Sequence, residues 1–210
     1  MSNAEIVVHI VDDEDSVRSS LAFLLDAAGY AVRTHASAGE FLKIAEGVGN
    51  GCLVTDLRMP DIDGIELLKR LNALSAMLPT IMVTGHGDVQ MAVEAMKNGA
   101  MDFIEKPFSK ETILESIGRA VDRAGANYRA EQNRTRVVEA LALLSDRERQ
   151  VLAGVLRGLP NKVIAFDLGI SPRTVEGYRA TVMAKMQART LAELVRMTMD
   201  AGVDSTAIAT

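Results

Sequence analysis

Short apolar runs alternate with helically spaced apolar positions through the first half of the chain. Residues 6–11 are almost continuously apolar and end at an acidic run, Asp12-Asp13-Glu14-Asp15. Val17, Leu21, Leu24, Leu25 and Ala28 then recur at helical spacing up to Gly29,. Residues 31–35 read as a second strand. Ser37 with Glu40 has the spacing of a capping box and opens a helix carrying Phe41, Leu42 and Ala45,. Residues 52–55 form a third strand, and Asp63 with Glu66 caps a helix bearing Ile65, Leu68 and Leu71. Residues 80–83, a helix over 89–98 and residues 102–105 complete the alternation. A last helix starts at Ser109, with Ile113, Ile117, Ala120 and Val121 inward. Five strands, each followed by a helix, predict a doubly wound α/β domain whose parallel strands are buried on both faces.

Beyond Arg123 the strand pattern stops. Residues 125–136 are polar, rich in Ala, Arg, Asn and Gln, and read as a linker or a continuation of the last helix. Four helices follow. Ser145 with Glu148 caps the first, which ends at Gly158; the second spans 161–168 and ends at Gly169,. Ser171 followed by Pro172 opens the third, and Thr190 with Glu193 the fourth,. The predicted architecture is 5–121 α/β, 122–137 linker and 138–202 all-α.

Charge divides along the same boundary. Residues 1–123 carry 19 acidic and 11 basic side chains (net −8), and residues 124–210 carry 9 and 12 (net +3). A basic half beside an acidic one points to nucleic acid as partner of the second half. No apolar run reaches the ~20 residues that span a bilayer, and the N-terminus lacks a secretory pattern. Cys52 is the single cysteine, consistent with a reducing cytoplasm and a small buried hydrophobe.

Strand ends in an open parallel sheet share one edge, where ligand crevices form. The acidic run, Asp56, Thr84 and Lys106 each follow a predicted strand, so they are expected to converge. Two close carboxylates repel unless a cation lies between them, and a shallow set of oxygen donors suits magnesium. Asp56 closes an apolar strand opposite Asp13; a carboxylate so placed can act as a nucleophile and form an aspartyl-phosphate. Thr84 precedes a predicted mobile loop, 85–87, and its hydroxyl can donate to a phosphoryl oxygen. Lys106 precedes Pro107, and a cis bond there would aim the lysine at the crevice. Acidic first turns also simply suit a helix N-terminus, and Asp61 and Asp63 read as turn and cap residues outside the site. His9, His35 and His86 show no metal-ligand spacing. The turn after the first strand lacks dinucleotide glycines, and no phosphate-binding loop or nucleophile elbow is present.

With Asp12/Asp13, Asp56, Thr84 and Lys106-Pro107 in place, residues 5–121 resemble a response-regulator receiver domain of two-component signalling. The resemblance implies a flavodoxin-like fold and Asp56 as phosphoacceptor. It implies magnesium held by Asp13, Asp56 and the Arg58 backbone carbonyl, with Asp12 indirect. Thr84 and Lys106 would grip the phosphoryl group, with Thr84 and Phe103 as the switch pair. The chain would then be a phosphoacceptor switch, not a turnover enzyme.

In the helical half, residues 161–168, Gly169-Ile170 and 171–187 supply the support helix, turn and recognition helix of a helix–turn–helix. Val175, Val182 and Met186 are predicted inward; Glu176, Ala180, Met183 and in part Arg179 outward. An ordinary helical bundle has the same periodicity. The runs Leu144-Ser145, Arg147-Glu148-Arg149, Gly158-Leu159-Pro160-Asn161-Lys162 and Ser171-Pro172-Arg173-Thr174-Val175-Glu176 resemble a LuxR-type DNA-binding domain. Gly177 and Tyr178 depart from that family, which usually has a larger residue and His there. Glu176 and Arg179 are the expected base readers, and Lys162, Arg173 and Thr174 the expected phosphate contacts. Together the halves resemble nitrogen-fixation response regulators. That implies a transcriptional activator phosphorylated by a haem-containing, oxygen-sensing histidine kinase, homodimeric once phosphorylated, and acting with promoter DNA and RNA polymerase. A regulator of the same architecture answering another kinase and stimulus stays open. So do a turnover phosphotransfer enzyme and a protein-interaction module without DNA function.

Overall fold

The structure is a computed structural model, and it describes residues 6–74, 76, 78–85 and 89–203. The chain divides into two compact units, Met1–Tyr128 and Arg129–Thr210.

In the first unit, β1 (Val7–Val11), β2 (Ala31–His35), β3 (Gly51–Asp56), β4 (Thr80–Thr84) and β5 (Asp102–Glu105) form one sheet in the order β2-β1-β3-β4-β5. All four pairings are parallel. The order reverses between β1 and β3, so the crevice predicted for a doubly wound sheet opens at their carboxyl ends. β3 and β4 are buried along their whole length and, unlike the sequence reading, include Asp56 and Thr84. These two groups are therefore held by sheet backbone rather than by a loop.

Helices α1 (Asp15–Ala27), α2 (Ala38–Leu42), α3 (Gly64–Ala73), α4 (Val89–Lys97) and α5 (Lys110–Ala142) surround the sheet. Ser37 and Asp63 cap α2 and α3 by accepting from the Glu40 and Glu66 amides,. The predicted second helix is interrupted: Ala45 belongs to a separate 3-10 turn, Ala45–Gly47. One core layer gathers Val8, Ile10, Leu25, Val54, Ile81, Ile113 and Ile117. The opposite face buries Val11, Phe41, Leu53, Leu67 and Leu71. Cys52 is fully buried, and burial pushes its thiol pKa up to about 12, so it packs as an apolar side chain.

Residues 122–137 are helical throughout, inside the 33-residue α5. The last turns of α5 supply Val137 and Leu141 to the core of the second unit. There α6 (Asp146–Leu156), α7 (Asn161–Leu168), α8 (Pro172–Lys185) and α9 (Leu191–Asp200) enclose Val151, Leu152, Ile164, Val175, Val182, Met186 and Leu194. Ser145 and Glu148 form a complete capping box at α6. Gly169 ends α7 at φ +65, a conformation that favours glycine,. Among the described residues, no helix is long and apolar enough to cross a membrane.

Candidate functional site

Register brings the predicted groups of the first unit together. Val11 pairs with Thr55, which leaves Asp12 and Asp56 at neighbouring strand ends. Both are buried, at 2% and 8% exposure. Thr84 pairs with Glu105 across β4 and β5, and its carbonyl accepts from the Lys106 amide at 2.7 Å. The Lys106–Pro107 bond is cis. The Lys106 ammonium donates to Asp56 Oδ1 at 2.8 Å and to Asp12 Oδ2 at 3.1 Å. Residues from three strand ends thus meet at one cation.

Burial alone would pull the Lys106 pKa down. Hydrogen bonds to Asp56 and Asp12, with the charges of both, outweigh it and hold the pKa above the ordinary lysine value,. The ammonium therefore stays charged at neutral pH between two carboxylates. Asp56 Oδ2 accepts from the Arg58 amide at 2.6 Å, and Asp12 Oδ1 from the Glu14 amide at 2.8 Å. Each carboxylate is thus fixed from both sides.

Asp13 is exposed beside this cluster, and Thr84 is 1% exposed. Phe103 is partly buried against Leu57, Leu68 and Met82. Of the loop after Thr84, residues 86–88 lie outside the described residues, so the expected mobile loop and His86 are not placed. Among the described residues, no three His, Cys, Asp or Glu side chains converge as a metal cage. The donors at hand are carboxylate and carbonyl oxygens with no soft ligand, and magnesium needs only a few of these plus water. The donor chemistry fits that ion.

Gly64 was not apparent from the sequence as part of this site. A Cβ on it would stand 2.5 Å from the Asp56 carbonyl oxygen. The start of α3 therefore packs directly on the backbone of Asp56, and only glycine leaves room for it.

His9 and His35 pair with each other rather than with the cluster's side chains. His9 Nδ1 and His35 Nε2 are 3.1 Å apart, and both rings pack against Phe41. Desolvation, then the charges of His35 and Arg33, lower the His9 pKa to about 4. These are core histidines.

In the second unit, Ser171 caps α8 by accepting from the Thr174 amide at 3.1 Å, with Pro172 in the first turn. Lys162, Arg173, Thr174 and Glu176 are exposed. Gly177 is also exposed, and a Cβ there would meet nothing within 4 Å. One expectation changes. Met183 is half-buried and packs against the core instead of facing outward. Arg179 is half-buried, and its Nη1 donates to Asn161 Oδ1 at 2.7 Å. The sequence hinted at this pair only through the position of Asn161 at the start of α7. Lys185 anchors the end of α8 to Glu148 at 2.7 Å and to the Leu143 carbonyl at 3.1 Å.

Comparison with known proteins agrees with this fold. Residues 8–118 match the response regulator receiver domain, and residues 142–198 match the bacterial regulatory proteins of the luxR family. The transcriptional regulatory protein FixJ of Rhizobium meliloti is 56% identical over 94% of this chain and 97% of its own. The response regulator StyR superposes with a TM-score of 0.82 at 40% identity, covering 93% of this chain and 99% of StyR. Full-length FixJ from B. japonicum gives 0.57 at 48% identity, covering 94% and 98%. A receiver with buried carboxylates around a lysine, joined to a luxR-type helix–turn–helix, places the chain in the FixJ family of two-component response regulators.

Proposed function

We propose that the chain stores a signal as a phosphoryl group on Asp56 and spends it as DNA occupancy. The observation that carries this is the Lys106 ammonium bridging Asp56 at 2.8 Å and Asp12 at 3.1 Å. A histidine kinase presents its phosphohistidine; the bond from phosphorus to the histidine nitrogen breaks as that to an Asp56 carboxylate oxygen forms. Such a transfer needs positioning and charge neutralisation more than acid–base chemistry. Lys106 moves onto a phosphoryl oxygen, and the Thr84 hydroxyl donates to another. Asp13, Asp56 and the Arg58 carbonyl would hold magnesium, with Asp12 supporting them; the ion supplies charge neutralisation at the phosphoryl oxygens. The chain thus assists its own phosphorylation without being a turnover enzyme. Phe103 follows Thr84 inward. The resulting change around α4 and β5 favours a homodimer, because the phosphoryl contacts exist in only one of the two states.

In the cytoplasm, the dimer binds promoter DNA through α8 and activates transcription with RNA polymerase. Glu176 and Arg179 read bases, and Lys162, Arg173 and Thr174 contact phosphates. The high identity to FixJ favours a FixL-like, oxygen-sensing kinase and nitrogen-fixation or microaerobic genes. A second reading is a regulator of the same architecture that answers a different kinase and stimulus; StyR, a response regulator, shares that architecture at 40% identity. Gel-shift binding of promoter DNA with and without a phosphodonor tests the switch. Asp56→Asn should abolish both phosphate incorporation and phosphate-dependent binding; retention of both would remove Asp56 as acceptor.

A further inference from the structure

Four consecutive acidic side chains follow β1, and a residue one turn into α1 holds the loop that carries them. Arg18 Nη1 donates to the Asp12 carbonyl at 2.8 Å and to the Asp13 carbonyl at 3.1 Å. Its Nη2 donates to Asp15 Oδ1 at 2.8 Å. The Arg18 side chain is only 14% exposed, whereas that of Asp15 is 87% exposed. The pair with Asp15 is therefore a solvated rim contact of little energetic weight; of the two carbonyl contacts, that with Asp12 is sheltered and that with Asp13 is exposed.

Those two carbonyls belong to the peptide planes on either side of the Asp13 Cα. Fixing both planes fixes the direction of the Asp13 Cα–Cβ bond, and with it where the carboxylate can reach. A guanidinium presents several N–H donors in one rigid plane and can hold two carbonyls and a carboxylate at once; an ammonium lacks that fork.

We propose that Arg18 is a positioning residue for the divalent-cation site: by gripping the Asp12 and Asp13 carbonyls it aims the Asp13 carboxylate at the shared edge with Asp56. The proposal rests on Asp13 and Asp56 being cation ligands. It makes a prediction of definite sign. Electrostatics alone would have a nearby positive charge repel magnesium, so removing it should tighten binding. Positioning demands the reverse.

The test is magnesium chloride titrated calorimetrically into the full-length chain. Arg18→Met should weaken magnesium binding about tenfold, the low end of what losing a ligand-orienting residue costs. Arg18→Lys keeps the charge but not the fork and should also weaken it. Asp15→Asn, which removes the rim pair and one solvated, screened charge, should weaken the affinity far less than Arg18→Met,. Circular dichroism and urea midpoints without magnesium establish that each variant is folded; if Arg18→Met does not fold, Arg18→Lys decides. Binding by Arg18→Met, or failing that Arg18→Lys, as tight as the parent or tighter overturns the proposal. Asp13→Asn separates the two layers. If it too leaves the affinity intact, the cation-site reading falls along with the proposal. If it weakens binding while the Arg18 variants do not, only the role of Arg18 falls.

Discussion

Acidification should destabilise the fold through His9. The residue is 2% exposed, and burial, the charge of His35 and that of Arg33 lower its pKa from 6.5 to about 4. A group that is harder to protonate when folded contributes stability that is fully present above its unfolded pKa. That stability is lost as pH falls through 6.5 towards the folded value, because the unfolded chain takes up the proton first. A shift of this size corresponds at most to about 3 kcal/mol, and some 2 kcal/mol of it should disappear between about pH 7.5 and 5. Urea unfolding followed by far-UV circular dichroism at those two pH values measures the loss. The reference is His9→Gln, which keeps a polar group opposite His35 but does not titrate. Titrating groups out of contact with His9 are common to both proteins and cancel; His35, 3.1 Å away, does not, so His35→Gln and the double variant complete the comparison. The parent should lose roughly 2 kcal/mol more than the variant on going to the lower pH. Parallel losses would show that His9 is not held neutral by its surroundings.

Further outcomes concern the two sites. Gly64→Ala forces a Cβ against the Asp56 carbonyl, where both sides are backbone; it should destabilise by about 1–3 kcal/mol and slow phosphorylation, read by denaturant midpoint and by phosphate incorporation from a small-molecule donor. Unchanged values would mean that α3 can shift without disturbing Asp56. Arg179→Ala should weaken specific DNA binding by about 1–3 kcal/mol while leaving receiver phosphorylation intact. Unaltered affinity in a fluorescence-anisotropy titration would restrict Arg179 to its contact with Asn161.

Elements with strong local chemistry were legible from the chain alone. The Asp63–Glu66 and Ser145–Glu148 caps, the left-handed Gly169 and the Ser171-Pro172 start act within a single turn, so spacing suffices to find them,. The break in the second helix was missed because Phe41, Leu42 and Ala45 keep helical spacing while the backbone tightens into a 3-10 turn. Met183 was misplaced because periodicity places residues around a helix without telling how wide a strip its neighbours cover,.

By itself the sequence determined five strands, their alternation with helices, an α-helical second half and the identities of the polar groups at strand ends, but not that the edge strands β2 and β5 are only partly buried. These follow from side-chain periodicity and capping, which are local. Only tertiary structure decided how those groups meet: Lys106 between Asp12 and Asp56, Gly64 against the Asp56 carbonyl, Arg18 across two carbonyls and Arg179 against Asn161. Such contacts depend on strand register and helix packing among segments up to 94 residues apart. No local pattern encodes a distance between atoms that the chain brings together only on folding.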